Sequence, residues 1–304
     1  MYYGIDIGRS HTKVISDNTQ IIFPSYVSPQ KDLDLTSINN HNISNISISI
    51  NDNSYFIGEL AKKHHGSKEF TKEKINHQNT IPLIITALTL STPESYNLIY
   101  PKCVIGLPIS DYRTQASKFE KSVLGKYQIK LFKKIININV EKLLTFPEGA
   151  GIAWGLLLED NGKQNNSILL TKTIAIIDIG WKTVNFLVLR NSEYDDSISG
   201  TLPLGIHQAY INFYKRISRE YDYLPHQVEQ MLSIQGEPEL IQLAQQIQDQ
   251  LSIFWTVMTQ FDYIFVGGGG GILLYKYFTI PVKLIKDAQF ANAKGFYRIA
   301  KSQL

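Results

Sequence analysis

Apolar and polar positions along this chain fall into a pattern that occurs twice. Residues 2–7, 11–16 and 20–27 read as three short strands joined by tight turns, an antiparallel meander. Residues 28–54 are rich in Asn, Ser and Asp, and an Ile/Ser alternation over 45–50 has the two-residue period of a strand leaving a loop. The pattern over 55–65 predicts a strand turning into a helix, and 79–91 a buried helix. The apolar run 100–112 reads as a buried strand ending in Gly106-Leu107-Pro108, followed by a helix over 111–125 and strands over 127–146. A further helix starts at or just after Pro147 and runs toward Asp160.

After a polar linker at 161–167 the opening pattern returns. Residues 172–189 read strand, Asp-Ile-Gly, strand, the same succession as residues 2–16. A strand near 194–202, three helical segments between about 205 and 257, and a strand over 263–271 follow. A short helix, a strand at 281–285 and a terminal helix from about Ala288 complete the chain. Each half thus begins with an antiparallel pair and goes on to mix helices and strands. That is duplication at the scale of a domain, with halves 1–160 and 161–304, and not a short-period repeat. The polar stretch of about 28–80 reads as a small subdomain inserted in the first half.

Composition narrows the function classes. The chain has 304 residues, enough for two cores. With 43% hydrophobic and 19% charged residues it is an ordinary globular protein, not a disordered one. A net charge of +3 is too small to imply direct contact with nucleic acid. One cysteine, Cys103, excludes an internal disulfide and fits a reducing compartment, so the expected location is the cytoplasm. No apolar run approaches the roughly 20 residues of a spanning helix, so no membrane contact is expected. His64, His65 and His77 lack the spacing of a metal site, and the lysine-rich stretch 62–74 reads as a solvated surface.

The two Asp-Ile-Gly turns carry the candidate chemistry. In the first, Asp6 ends a strand and Gly8 opens the turn, where successive backbone N–H groups can form a concave anion site. Ser10 and Thr12 add hydroxyl donors, Arg9 and Lys13 add charge, and Asp6 can act on a phosphate through Mg²⁺ or its water shell. The second turn offers Asp178, Gly180, Lys182 and Thr183. One such turn alone is ordinary hairpin chemistry. Two at matching places suggest a polyphosphate held between two lobes. The run Gly267, Gly268, Gly269, Gly270 and Gly271 follows a buried strand, and a backbone lying flat against a ligand would account for it. Glu148 lies beside Pro147 near a helix start, a place that suits the helix dipole or the orientation of a water for attack on a γ-phosphate. Neither a Walker A sequence nor a strict G-x-G-x-x-G is present.

In this order the motifs resemble those of the actin-like ATPase superfamily, and within it the plasmid-segregation actins of the ParM/StbA type. "DIGRSHTK" resembles the first phosphate motif, "FPEGAGIAWG" the first connecting segment and "DIGWKT" the second phosphate motif. "VGGGGGILL" is similar to the adenosine motif, and "FANAKGF" to the second connecting segment, with Gly295 at a helix–helix crossing. The likeness spans nearly the whole chain. It departs from the family at Arg9, where Ser or Gly is usual, and at Trp181 and Lys182, where small residues are usual. These departures bear on hydrolysis rate more than on binding.

The resemblance implies an α/β fold of the actin-like (ribonuclease H-like) type. That fold has two duplicated lobes with central mixed sheets flanked by helices, a nucleotide cleft between them, and a C-terminal helix crossing back. It implies ATP or GTP as nucleotide with Mg²⁺, Glu148 positioning the hydrolytic water, and Asp6 and Asp178 acting on the metal through water. Lys215 and Arg216 would flank the adenine, or else form a solvated helical face. The implied function is a filament that assembles head to tail and moves plasmid or phage DNA through a DNA-binding adaptor. The rival reading is a non-polymerising relative, either an assembly factor of the FtsA/PilM kind or a small-molecule kinase.

Overall fold

β1 (Tyr2–Ile7) and β2 (His11–Ser16) form an antiparallel hairpin in the computed structural model, and β3 (Gln20–Pro24) pairs with β2. The structure describes residues 1–30, 45–64, 66, 67, 78–132, 134–165, 167–218 and 225–304. The strand expected over 20–27 is broken. Ser25 leaves the sheet to brace the hairpin turn, its hydroxyl 2.7 Å from the Gly8 carbonyl and 2.9 Å from Thr12 Oγ1. The chain then enters a second sheet through β4 (Val27–Pro29), β5 (Ile46–Ile50) and β6 (Asn53–Ile57). The helices α1 (Glu59–Lys63) and α2 (Thr80–Leu90) follow. His65, His77 and most of the lysine-rich stretch lie outside the described residues.

β7 (Leu98–Ile99), β8 (Lys102–Leu107), α3 (Ile109–Val123), β9 (Gly125–Leu131), β10 (Lys134–Val140) and β11 (Lys142–Pro147) come next. The first sheet runs β11-β8-β1-β2-β3 and the second β4-β6-β5-β9-β10-β7. α4 (Ala150–Leu157) begins three residues later than Pro147 suggests. Gly149 takes φ 86°, a left-handed turn open to glycine, and this places Glu148 on the turn instead of the helix.

The later elements are β12 (Thr173–Ile179), β13 (Val184–Arg190), β14 (Glu193–Tyr194), β15 (Gly200–Leu202), α5 (Ile206–Ile217), α6 (Pro225–Gln235) and α7 (Glu237–Phe254). β16 (Tyr263–Gly267), α8 (Gly268–Leu274), β17 (Val282–Leu284) and α9 (Ala291–Gln303) end the chain. The third sheet runs β14-β13-β12-β16-β17, with β15 on β13. The strand expected near 194–202 is two short strands around a 3-10 turn at Asp196–Ile198. The strand expected to continue to 271 stops at Gly267, where α8 starts.

The duplication is visible in the pairing. β1 is antiparallel to β2 and parallel to β8, and β12 is antiparallel to β13 and parallel to β16. Both central strands are almost wholly buried, so they read as continuous apolar runs. Tyr3, Ile5 and Ile7 pack with α2 on one face of the first sheet, while Gly4 meets the α9 backbone on the other. Ile174 and Ile176 share a core with Ile152, Ala153 and Leu157 of α4. The opposite face of that sheet packs on α5 and α7 through Phe213, Leu240 and Ile247. The helices therefore cross over: α4, from the first half, covers the third sheet, and α9, from the end of the chain, covers the first.

Candidate nucleotide site

Both hairpin turns open onto one cavity of about 270 Å³. The first turn supplies Asp6, Gly8, Arg9, Ser10 and Lys13, and the second Asp178, Gly180, Lys182 and Thr183. Gly268, Gly269 and Gly270 form a further wall, and Glu148 lies in the lining as well. The acids end parallel strands, the edge at which open α/β sheets bind ligands.

Each turn is braced from behind. Ser25 and Thr12 hold the first. In the second, Gly180 N–H donates to the Thr183 carbonyl at 2.9 Å, closing the turn. The backbone N–H groups of Ile206 and His207, at the start of α5, donate to the Gly180 and Trp181 carbonyls at 3.2 and 2.8 Å. These are N–H groups that a helix end otherwise leaves unsatisfied. The Trp181 ring packs against His207 and Tyr210 on α5 while also lining the cavity.

The electrostatics divide the acids. Lys13 Nζ lies 2.9 Å from Asp6 Oδ2, and both side chains are nearly buried. Burial pulls the Lys13 pKa down, but the Asp6 charge and hydrogen bond, with help from Asp178 and Glu148, outweigh it and leave the lysine above its ordinary value. Asp178 has no such partner. Burial, then the charges of Asp6 and Glu148, push it up to about 7, although the hydrogen bond from Asn292 and the charge of Lys13 oppose the rise. Glu148 Oε2 accepts from Asn185 Nδ2 at 2.8 Å, and Thr201 Oγ1 donates to Asn185 Oδ1 at 2.8 Å. Asn292 Nδ2 donates to Asp178 Oδ2 at 2.8 Å.

A hydrated divalent cation fits this set. The charges of Asp6 and Glu148 both act on Asp178, and Lys13 is engaged by Asp6. Among the described residues no group of three or more His, Cys, Asp or Glu side chains could hold a metal by itself. Mg²⁺ keeps several waters and takes phosphate oxygens as further ligands, so Asp6 and Asp178 would hold it through its water shell.

Residues 4–151 match the family described as the N-terminal domain of actin-like proteins. The fold is actin-like. Its fold matches a subunit of a 15-stranded ParM filament from Clostridium botulinum at 26% identity and a TM-score of 0.81, covering 99% of this chain and 98% of that one. It matches an archaeal actin homologue at 22% identity and a TM-score of 0.84 over 100% of both chains. The complex of that archaeal homologue with ADP matches at 22% identity and 0.79, covering 99% of each chain. Among curated proteins none matches the sequence.

Most of the expected site residues share the cavity; Lys215, Arg216, Gly267, Gly271 and Thr12, whose buried hydroxyl is engaged by Ser25, do not line it. Gly267 sits beneath Ile152, and Lys215 is exposed in the last turn of α5. Neither lines the cavity. Arg216 is engaged by Glu239 at 2.7 Å. The glycine run also differs from its expected part. Added Cβ atoms at Gly267, Gly268, Gly270 and Gly271 would collide with Ile152, Ile179 with Asp178, Ile206 and Val266. Close packing therefore explains most of the run, and Gly268 at φ 78° adds a left-handed turn. Gly269 alone of the five faces open space.

Asn185, Asn292, Glu229 and Leu232 also line the cavity, outside the motifs that the sequence singles out. A signal for Asn185 was available. Lys13 stands opposite Asp6 in the first hairpin's register, and the same offset in the second leads from Asp178 to Asn185.

Proposed function

We propose that this chain is a nucleotide-driven filament protein that hydrolyses ATP or GTP with Mg²⁺ and moves plasmid or phage DNA in the cytoplasm through a DNA-binding adaptor. The observation that carries the reading is the single cavity onto which both duplicated hairpins open, with Glu148 in its lining. Its whole-length likeness to a ParM filament subunit supports the polymerising branch of the family.

The roles follow from the lining. Backbone N–H groups of the two turns, with Arg9 and Lys182, bind and orient phosphate oxygens. Asp6 and Asp178 hold the water shell of the metal. Mg²⁺, when bound, neutralises charge on the phosphates. Glu148 orients the attacking water and accepts its proton, held in place by Asn185. Each hairpin belongs to a different sheet, so closing on the phosphates sets the angle between lobes and couples nucleotide to assembly. A head-to-tail interface that does not close on itself then builds an open helix.

Sedimentation and electron microscopy with and without ATP or GTP test the reading. Polymer should appear only above a threshold concentration that nucleotide lowers, and Asp6→Ala should abolish it. No polymer at any concentration, with Mg²⁺-nucleotide binding confirmed, would move the chain to the non-polymerising branch.

A further inference from the structure

Asn292 is the second residue of α9 and is only 5% exposed. Its two polar atoms serve different parts of the site. Oδ1 accepts the Gly149 N–H at 3.0 Å, on the residue that follows Glu148, while Nδ2 donates to Asp178 Oδ2 at 2.8 Å. Chemistry fixes this orientation. A backbone N–H can only donate, so the amide oxygen must face Gly149 and the amide nitrogen is left for the carboxylate.

The backbone that carries Asn292 is pinned. α9 crosses α4 so tightly that a Cβ on Gly295 would overlap the Gly151 carbonyl, and one on Gly4 would overlap the α9 backbone at Ala293 and Tyr297. Gly149 and Asn292 are therefore fixed on one crossing. Asp178 stands at the end of β12, in the third sheet. Its bond to the Asn292 amide ties that carboxylate to the turn bearing Glu148.

We propose that Asn292 is a positioning residue for nucleotide hydrolysis, setting the place of Asp178 relative to the turn that carries Glu148. This rests on the reading of the cavity as a nucleotide site. In that reading the phosphates are gripped by the backbone N–H groups of the turns with Arg9 and Lys182, and among the described residues the hydrogen bonds of Asn292 go to the Asp178 carboxylate and the Gly149 N–H instead. Losing the tie therefore leaves nucleotide binding in place and loosens the arrangement needed for attack. A small misplacement of a reacting group costs roughly 10- to 100-fold in rate.

The test is Asn292→Ala in the full chain, which changes no charge. Phosphate release at saturating ATP and GTP gives kcat. Calorimetric titration with a non-hydrolysable triphosphate, with and without Mg²⁺, gives Kd, and thermal melting reports the fold. The expected result is kcat lower by about 10-fold or more, with the Mg²⁺-free Kd within about two-fold. Asn292→Leu, of similar size and unable to bond either partner, serves if the alanine variant does not fold, with the same split expected. A folded variant with wild-type kcat overturns the proposal. So does a Kd that rises as far as kcat falls, because Asn292 is then only a packing residue. A wild-type chain that binds nucleotide without releasing phosphate sinks the hydrolysis reading itself, and that result is visible before any variant is made.

Discussion

Gly295 meets Gly151 backbone to backbone where α9 crosses α4. No side chain fits there. Gly295→Ala is expected to force the helices apart and to cost at least the about 1–3 kcal/mol typical of overpacking. Urea denaturation measures it. A change below about 0.5 kcal/mol would mean that the crossing yields easily and does not fix the turn beside it.

Glu148→Ala should leave nucleotide binding nearly intact and slow hydrolysis by about 10²-fold, the scale of a positioned base. Polymer formed by the variant should persist after assembly. Phosphate release and light scattering followed together check both halves. Unchanged release would reduce Glu148 to an acid that caps the turn before α4.

Asp178 gives a pH dependence with a definite sign. Its carboxyl titrates at about 7 in the fold against the ordinary 3.8, because it is buried near Asp6 and Glu148. Between those values the folded chain holds more protons than the unfolded one, so stability without metal and nucleotide falls as pH rises through that window. Asp178→Asn keeps the shape and removes the titration. In a metal chelator, the melting temperature of Asp178→Asn minus that of wild type should grow from about pH 5 to about pH 8. A constant difference would contradict the burial of an unneutralised acid.

Arg9 and Lys182 line the cavity, and among the described residues neither has a salt bridge or side-chain hydrogen bond. Arg9→Ala and Lys182→Ala should each weaken binding of a non-hydrolysable triphosphate by about ten-fold, equivalent to about 1.4 kcal/mol for a lost charged hydrogen bond. Trp181→Ala should act differently, because its ring packs on His207 and Tyr210. It should lower the melting temperature more than it changes affinity. Calorimetry and melting curves on the three variants separate the two behaviours.

The sequence showed the hairpins because a buried central strand, a glycine turn and a second strand leave a local signature. Asp6, Gly8, Asp178 and Gly180 follow from it directly. Asn292 leaves no local mark and Asn185 only its register place opposite Asp178, since each sits inside a regular element and gains its role from a partner far along the chain: Glu148 for Asn185, Asp178 and Gly149 for Asn292. The glycine run is legible as a wall of the cavity, but its demand for small residues comes largely from Ile152, Ile179 and Ile206, which only the fold brings near. The apolar residues on either side of Pro24-Ser25 predict one strand over 20–27, yet the hydrogen bonds of Ser25 end it early.

The cover that α9 gives β1 has a consequence for how the chain reaches its fold. Tyr297 Oη reaches Asp17 Oδ1 at 3.0 Å across 280 residues of sequence. One face of β1 can be buried early by α2, but the other waits until nearly the whole chain has closed into a loop. Closure entropy grows only slowly with loop length, so the burden falls on rate more than on stability. During that wait the groove beside Gly4 and Val104 stays open to any α9, including that of another molecule. Refolding at high concentration should therefore yield dimers that have exchanged their last helices.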